Sequence, residues 1–237
     1  MNLQEAKKEI YTKQKIIDIK RYAHFIDFGS EVSCYNLSPK QVIKFFDVTP
    51  TNPSKKLLIS DKTYGTDTFL FVDAIQLYHN NIISYTMKYV KGPRLGKPDS
   101  IKLFYNLTYD MLLEYIKTLI EDSISIANHG IQAFDCRENN IILSQSGFKQ
   151  IDCVDFLEKD IDPSTITKEN IKLMCQTIWD SLIKPKLSPL IISNNLTEYD
   201  FYTTPYKFIK ELKRISQEYS NTEIISLNDT KKLIKRK

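Results

Sequence analysis

One stretch, residues 130–156, limits what this chain can fold into more than any other. It runs Gly-Ile-Gln-Ala-Phe-Asp-Cys-Arg-Glu-Asn-Asn-Ile-Ile-Leu and, after a polar Ser-Gln-Ser-Gly turn at Ser144 to Gly147, reaches Ile-Asp-Cys-Val-Asp-Phe at 151–156. Apolar, β-branched runs on both sides of a polar turn containing Gly predict a short hairpin. Asp135 and Asn140 are five positions apart, and Asp152 follows Asn140 by twelve. Taken singly, each has an ordinary structural explanation, because Asp and Asn side chains commonly hold turns through nearby backbone groups. Their joint order around one hairpin is the informative feature.

A long helix is expected immediately upstream, over residues 109–129. Leu112, Leu113, Ile116, Leu119, Ile120, Ile124 and Ala127 fall on one helical face. Thr108 suits the N-cap, Asp110 the first turn and Gly130 the C′ position. Such a helix delivers the chain directly into Asp135.

Earlier still, the pattern becomes strand-like. Residues 23–28, 32–37 and 41–46 are apolar or β-branched runs separated by turn signals, which predicts a meander. A second hairpin is expected from residues 68–72 and 82–90, joined by His79, Asn80 and Asn81. Residues 49–54 read as a loop and 92–98 as a Gly/Pro-rich connector. Residues 1–20 fit either a short amphipathic helix or an extra strand. Downstream, helices are expected over 168–183, capped by Thr167, and over 206–218, with residues 231–237 a frayed, solvated end.

Composition excludes several classes. With 237 residues, 42% apolar and 26% charged, the chain can bury a core and is not disordered over most of its length. A net charge of +4 is too mild to argue for nucleic acid as a partner. No apolar run approaches the ~20 residues of a membrane span, and the start lacks the apolar core of a signal peptide. Cys34, Cys136, Cys153 and Cys175 form no CxxC pair, so neither a zinc site nor a disulfide framework is expected. A cytoplasmic protein in a reducing compartment is the simpler reading.

The layout of Asp135, Asn140 and Asp152 resembles the catalytic core of the protein kinases, where H-R-D-x-x-x-x-N is followed, after a hairpin, by D-F-G. The resemblance implies an α+β, bilobal fold with a small antiparallel β N-lobe and a mainly helical C-lobe. Residues 1–20 would be an N-terminal extension, 21–91 the N-lobe and 92–237 the C-lobe. It further implies a kinase that uses ATP and Mg²⁺ to phosphorylate a hydroxyl, most naturally Ser or Thr of a protein substrate. Gly29 would lie in the glycine-rich loop. Val42-Ile43-Lys44 resembles the end of V-A-I-K, with Val42 in the nucleotide-binding strand and Lys44 on the α/β-phosphates. Met87-Lys88-Tyr89-Val90 resembles the hinge: Met87 takes the gatekeeper position, and the backbone of Lys88, Tyr89 and Val90 meets adenine. Asp135 would orient and deprotonate the acceptor, Arg137 would stabilise the migrating phosphoryl group, and Asn140 and Asp152 would bind the metal.

The sequence departs from the family in four places. Ala133 and Phe134 replace His-Arg before the catalytic Asp, which leaves a phosphorylated loop no obvious anchor. Cys153-Val154 replaces Phe-Gly after the metal Asp. No A-P-E follows, so the usual peptide platform is reduced. Residues 55–62 hold no Glu to pair with the strand lysine, Asp61 being the nearest acid. Two alternatives therefore stand beside a protein kinase: a small-molecule kinase of the aminoglycoside type, and a pseudokinase scaffold.

Overall fold

A computed structural model describes residues 6–28, 32–47, 64–220 and 222–234. Its contacts divide the chain into two units, Met1–Val90 with Asp152–Asp155, and Lys91–Ile151 with Phe156–Lys237. No helix among the described residues is long and apolar enough to cross a membrane.

The first unit is built on a six-stranded sheet of order β1-β5-β6-β4-β3-β2. Its strands are β1 (Lys7–Ile10), β2 (His24–Phe28), β3 (Val32–Ser38), β4 (Gln41–Phe46), β5 (Ala74–Tyr78) and β6 (Asn81–Lys88). β1 runs parallel to β5, and every other pairing in the sheet is antiparallel. The opening residues thus supply both elements that the sequence left open, a strand and then helix α1 (Lys13–Tyr22). Thr12 caps α1, its hydroxyl accepting from Lys15 N at 3.1 Å. Ile16 and Ile19 of α1 pack, with Tyr35, Leu37 and Ile83, against the buried Tyr11, Ile43 and Phe45, so the helix covers one face of the sheet.

The second hairpin forms, but its first strand is β5 rather than residues 68–72. His79 and Asn80 both have positive φ, 48° and 62°, and Tyr78 pairs with Asn81. That two-residue turn requires the strand to end at Tyr78. Gln76 disguised the strand. It is fully buried and accepts from Ser84 Oγ at 3.0 Å, so a polar residue stands where alternation asks for an apolar one.

The second unit is mainly helical: α2 (Pro98–Tyr105), α3 (Tyr109–Ala127), α4 (Pro163–Ile178), a π-helical turn (Trp179–Ile183), α5 (Lys184–Ser193), α6 (Glu198–Thr203), α7 (Pro205–Glu218) and α8 (Leu227–Ile234). α3 is capped by Thr108, which accepts from Met111 N. Its C-cap is Asn128, so Gly130 falls one place beyond the expected C′ position, with φ of +71°. A Cβ on Gly130 would stand 2.8 Å from the Lys159 carbonyl oxygen. α4 starts earlier than Thr167: Asp162 is its N-cap and Pro163 occupies the first turn, a usual helix opening. The expected 206–218 helix is α7, with Phe208, Ile209, Leu212 and Ile215 buried. The C-terminal residues form α8 up to Ile234 instead of fraying from 231, because Leu227 and Thr230 are buried.

Between α3 and α4 lie β7 (Ile131–Gln132), the hairpin β8 (Ile141–Ser144) and β9 (Gly147–Gln150), and β10 (Leu157–Glu158). β7 pairs with β10. The segment entering α2 is stitched to β8: Leu95 N donates to Ile141 O and Leu143 N to Pro93 O, both at 2.9 Å. Gly92 is needed there, since a Cβ would lie 2.2 Å from the Leu143 carbonyl oxygen.

Candidate functional site

The first unit presents Lys44. β4 is flanked on both sides, by β3 and β6, and Lys44 is only 8% exposed. A buried ammonium needs a counter-charge, and Asp152 provides one, with Lys44 Nζ to Asp152 Oδ1 at 3.2 Å. Tyr85, directly opposite on β6, places its ring centroid 5.8 Å from Nζ. Burial alone would pull Lys44 down. The Tyr85 oxygen and the Asp152 carboxylate outweigh it and hold the ammonium above the ordinary lysine range. Burial likewise raises the Tyr85 hydroxyl, so it stands as a neutral neighbour at physiological pH. Val42 and Met87 are opposed in the register and both buried. Lys88 is exposed, and Tyr89 N donates to the Lys40 carbonyl at 2.9 Å. Val90 is half-buried and ends this part of the unit. Gly29 and Asp61 lie outside the described residues.

The second unit presents the loop of Asp135. This residue has φ of +52°, the left-handed region that Asp tolerates better than most side chains. Its carbonyl is held by several donors: Arg137 N at 2.8 Å, Asn140 Nδ2 at 3.1 Å and Gln150 Nε2 at 3.5 Å. Asn140 Nδ2 also donates to Asp135 Oδ2 at 3.0 Å, and Arg137 Nε forms an ion pair with Oδ1. Both carboxylate oxygens are thus engaged, one of them by a largely exposed arginine side chain. Cys136, next in sequence, is no nucleophile at neutral pH. Burial first, and then the Asp135 charge, push its thiol up to about 12.

Asn170 of α4 anchors this loop, and the sequence reading missed it. The side chain is fully buried, accepts from Ala133 N at 2.6 Å and donates to the Ile131 carbonyl at 3.1 Å. Thr177, further along α4, donates from its hydroxyl to the Cys136 carbonyl. A signal was present: Ile166, Asn170, Met174 and Ile178 recur every fourth residue, all fully buried, with one amide in an apolar stripe.

Asp152 uses Oδ1 on Lys44, and Asn140 uses Nδ2 on Asp135. Asp152 Oδ2 and Asn140 Oδ1 therefore remain as uncommitted hard oxygen donors among the described residues. Each is a hard oxygen of the type that Mg²⁺ accepts, a carboxylate in the first unit and an amide carbonyl in the second. No cluster of three His, Cys, Asp or Glu side chains is assembled among the described residues.

No protein-family profile and no curated protein matches the sequence. Among solved structures, the autoinhibited serine kinase domain of the giant muscle protein titin is similar, with a TM-score of 0.52 and 12% identity over 90% of this chain and 85% of that one. The fold is protein kinase-like: bilobal and α+β, with one unit built on the β-sheet and one mainly helical.

Proposed function

We propose that the protein is an ATP- and Mg²⁺-dependent phosphotransferase that passes the γ-phosphate to a hydroxyl, with Ser or Thr of a protein as the acceptor. The ion pair of Lys44 with Asp152 carries this reading, because it joins two charged groups 108 residues apart within a kinase-like fold. Lys44 keeps its charge throughout the physiological range and is the group offered to the α/β-phosphates. Val42, Met87 and the backbone of Lys88 to Val90 hold adenine. Asp152 and Asn140 supply the oxygen ligands for Mg²⁺. The ion, when bound, neutralises charge on the phosphates and favours in-line transfer.

Phosphoryl transfer asks the protein mainly to position groups and place charge. Asp135 orients the acceptor hydroxyl and takes its proton. Arg137, released from the carboxylate by an arriving phosphate, follows the migrating charge. Asn170 fixes the backbone at Ile131 and Ala133 that leads into Asp135. A second reading, a small-molecule hydroxyl as acceptor, draws support from the short segment 156–162, which is tied to β7 by β10 and offers little room for a peptide platform.

The test is incubation of the full chain with γ-labelled ATP and Mg²⁺, beside Asp135→Asn and Asp152→Ala. Label on the protein or an added protein acceptor, reduced at least about a hundredfold in both variants, is the expected result. Transfer that survives both substitutions would overturn the assignment. Label found on a metabolite and on no protein decides for the small-molecule acceptor.

A further inference from the structure

Lys44 stands where a sheet ordinarily places an apolar residue. β4 is paired on both sides, and the residues opposed to Lys44 are Cys34 on β3 and Tyr85 on β6. Directly opposed residues of an antiparallel pair project to the same face. Strand pairing itself therefore sets Tyr85 beside the lysine. β6 is also an inner strand, held between β4 and β5. Tyr85 is 2% exposed, and its ring packs on Phe46 with the centroids 5.6 Å apart. From that fixed ring, the hydroxyl lies within hydrogen-bonding reach of Lys44 Nζ.

The two oxygen partners of Lys44 are not equally permanent. Asp152 holds Nζ through Oδ1 at 3.2 Å, but its side chain is 31% exposed and is the carboxylate proposed for Mg²⁺. A carboxylate that turns to a metal loosens its hold on the lysine. Kinase-like sites meet this need with a glutamate paired to the strand lysine, and residues 55–62 contain none. Tyr85 has no such second task. A phenylalanine would pack on Phe46 equally well and carry no hydroxyl to satisfy in the interior. A neutral hydroxyl also differs from a glutamate in its effect: it orients the ammonium without cancelling the charge, so the full positive charge is offered to the phosphates.

We infer that Tyr85 is the positioning residue of Lys44, its hydroxyl orienting the ammonium for the α/β-phosphates once Asp152 turns to the metal. This rests on the proposed role of Lys44 as the phosphate-contacting lysine of a nucleotide site.

Two measurements on the full chain and on Tyr85→Phe test the inference. Tyr85→Phe keeps the ring on Phe46 and removes one oxygen, so the fold is retained, as the melting temperature checks. The first measurement is the rate of label transfer from γ-labelled ATP with Mg²⁺, over a range of ATP concentrations. The kcat should fall about tenfold, with KM for ATP changed less than about threefold, because orientation of the ammonium counts most as charge moves in the transition state. The second follows the Lys44 ammonium directly, by nitrogen-15 resonance of lysine-labelled protein with Mg²⁺ and ADP bound, the signal being assigned by its absence in Lys44→Met. Its protons should exchange with water at least about tenfold faster in Tyr85→Phe, the scale of one lost hydrogen bond to a charged group. A lower kcat with unchanged ammonium exchange would mean that Tyr85 acts other than through Lys44 and would overturn the inference. A folded Tyr85→Phe with the wild-type kcat would overturn it too. Either result leaves the proposed function standing. A folded wild type that neither binds ATP with Mg²⁺ nor transfers label sinks both.

Discussion

At Lys44, burial and charge pull in opposite directions, and charge wins because the Asp152 carboxylate stands beside it. Asn170 shows the same contest with a neutral group. Fully buried, it satisfies one backbone N–H and one carbonyl of the segment leading to Asp135. Asn170→Ala leaves both of those groups unpaired, so it should cost about 2–4 kcal/mol, read as a lower urea midpoint with an unchanged slope. Asn170→Asp keeps the acceptor for Ala133 N, loses the donor to Ile131 and places a charge in the core. It should be no better tolerated than Ala unless that carboxyl is protonated. An alanine variant within ~0.5 kcal/mol of wild type would show that the amide is not the anchor. The spacing of Asp135, Asn140 and Asp152 was legible because each lies in a short local pattern. Asn170 was not, since its significance depends on partners that only the folded chain reveals.

The helices differ in how openly the sequence announces them. α3 was readable from its apolar stripe and from Thr108, signals confined to the helix itself. α4 was entered late because Asp162-Pro163 resembles a loop when the cap geometry is unknown. α2 went unanticipated because Pro98 at its start passed for part of a connector. β5 was hidden by Gln76, whose burial depends on Ser84 on the neighbouring strand. α8 was hidden by lysines on its exposed side, although Ser226 and Asp229 cap it reciprocally. Ser226 N and Oγ donate to Asp229 Oδ2 at 3.0 and 2.8 Å, and Asp229 N donates to Ser226 Oγ at 3.4 Å. Burial would raise the Asp229 carboxyl, but the Ser226 hydroxyl and N–H, helped by Lys232, more than offset it and hold it below the usual carboxylate range. A depressed carboxyl stabilises above its unfolded pKa and loses that contribution as pH falls through the folded value. Asp229→Ala should therefore cost about 1 kcal/mol at neutral pH. The difference from wild type should hold down to about pH 4 and vanish below it, followed by thermal melts across the acid range. A difference that persists at pH 2 would exclude the carboxylate as its source.

For the molecule as a whole, the opening residues are part of the first unit's core. Tyr11, Ile16 and Ile19 cover Ile43 and Phe45, and the charged ends of Lys15 and Lys20 lie over the rings of Tyr11 and Phe45. Removing residues 1–22 would open that apolar face and strip β5 of its outer neighbour. The shortened protein should bind a hydrophobic dye and melt at least about 5 °C lower. An unchanged melt with no dye binding would make the segment a dispensable appendage. The parallel pairing of β1 has a consequence for how the protein is made. Lys7 is matched with Ala74 and Ile10 with Leu77, so β1 cannot dock until the chain has grown past both partners. At ordinary translation speeds that interval is roughly 3 to 13 s. During this time the nascent chain carries an unpaired strand flanked by Ala6 and Tyr11, both of them buried in the finished fold. A chaperone that holds newly synthesised chains would find its binding site here and release it only when β5 arrives.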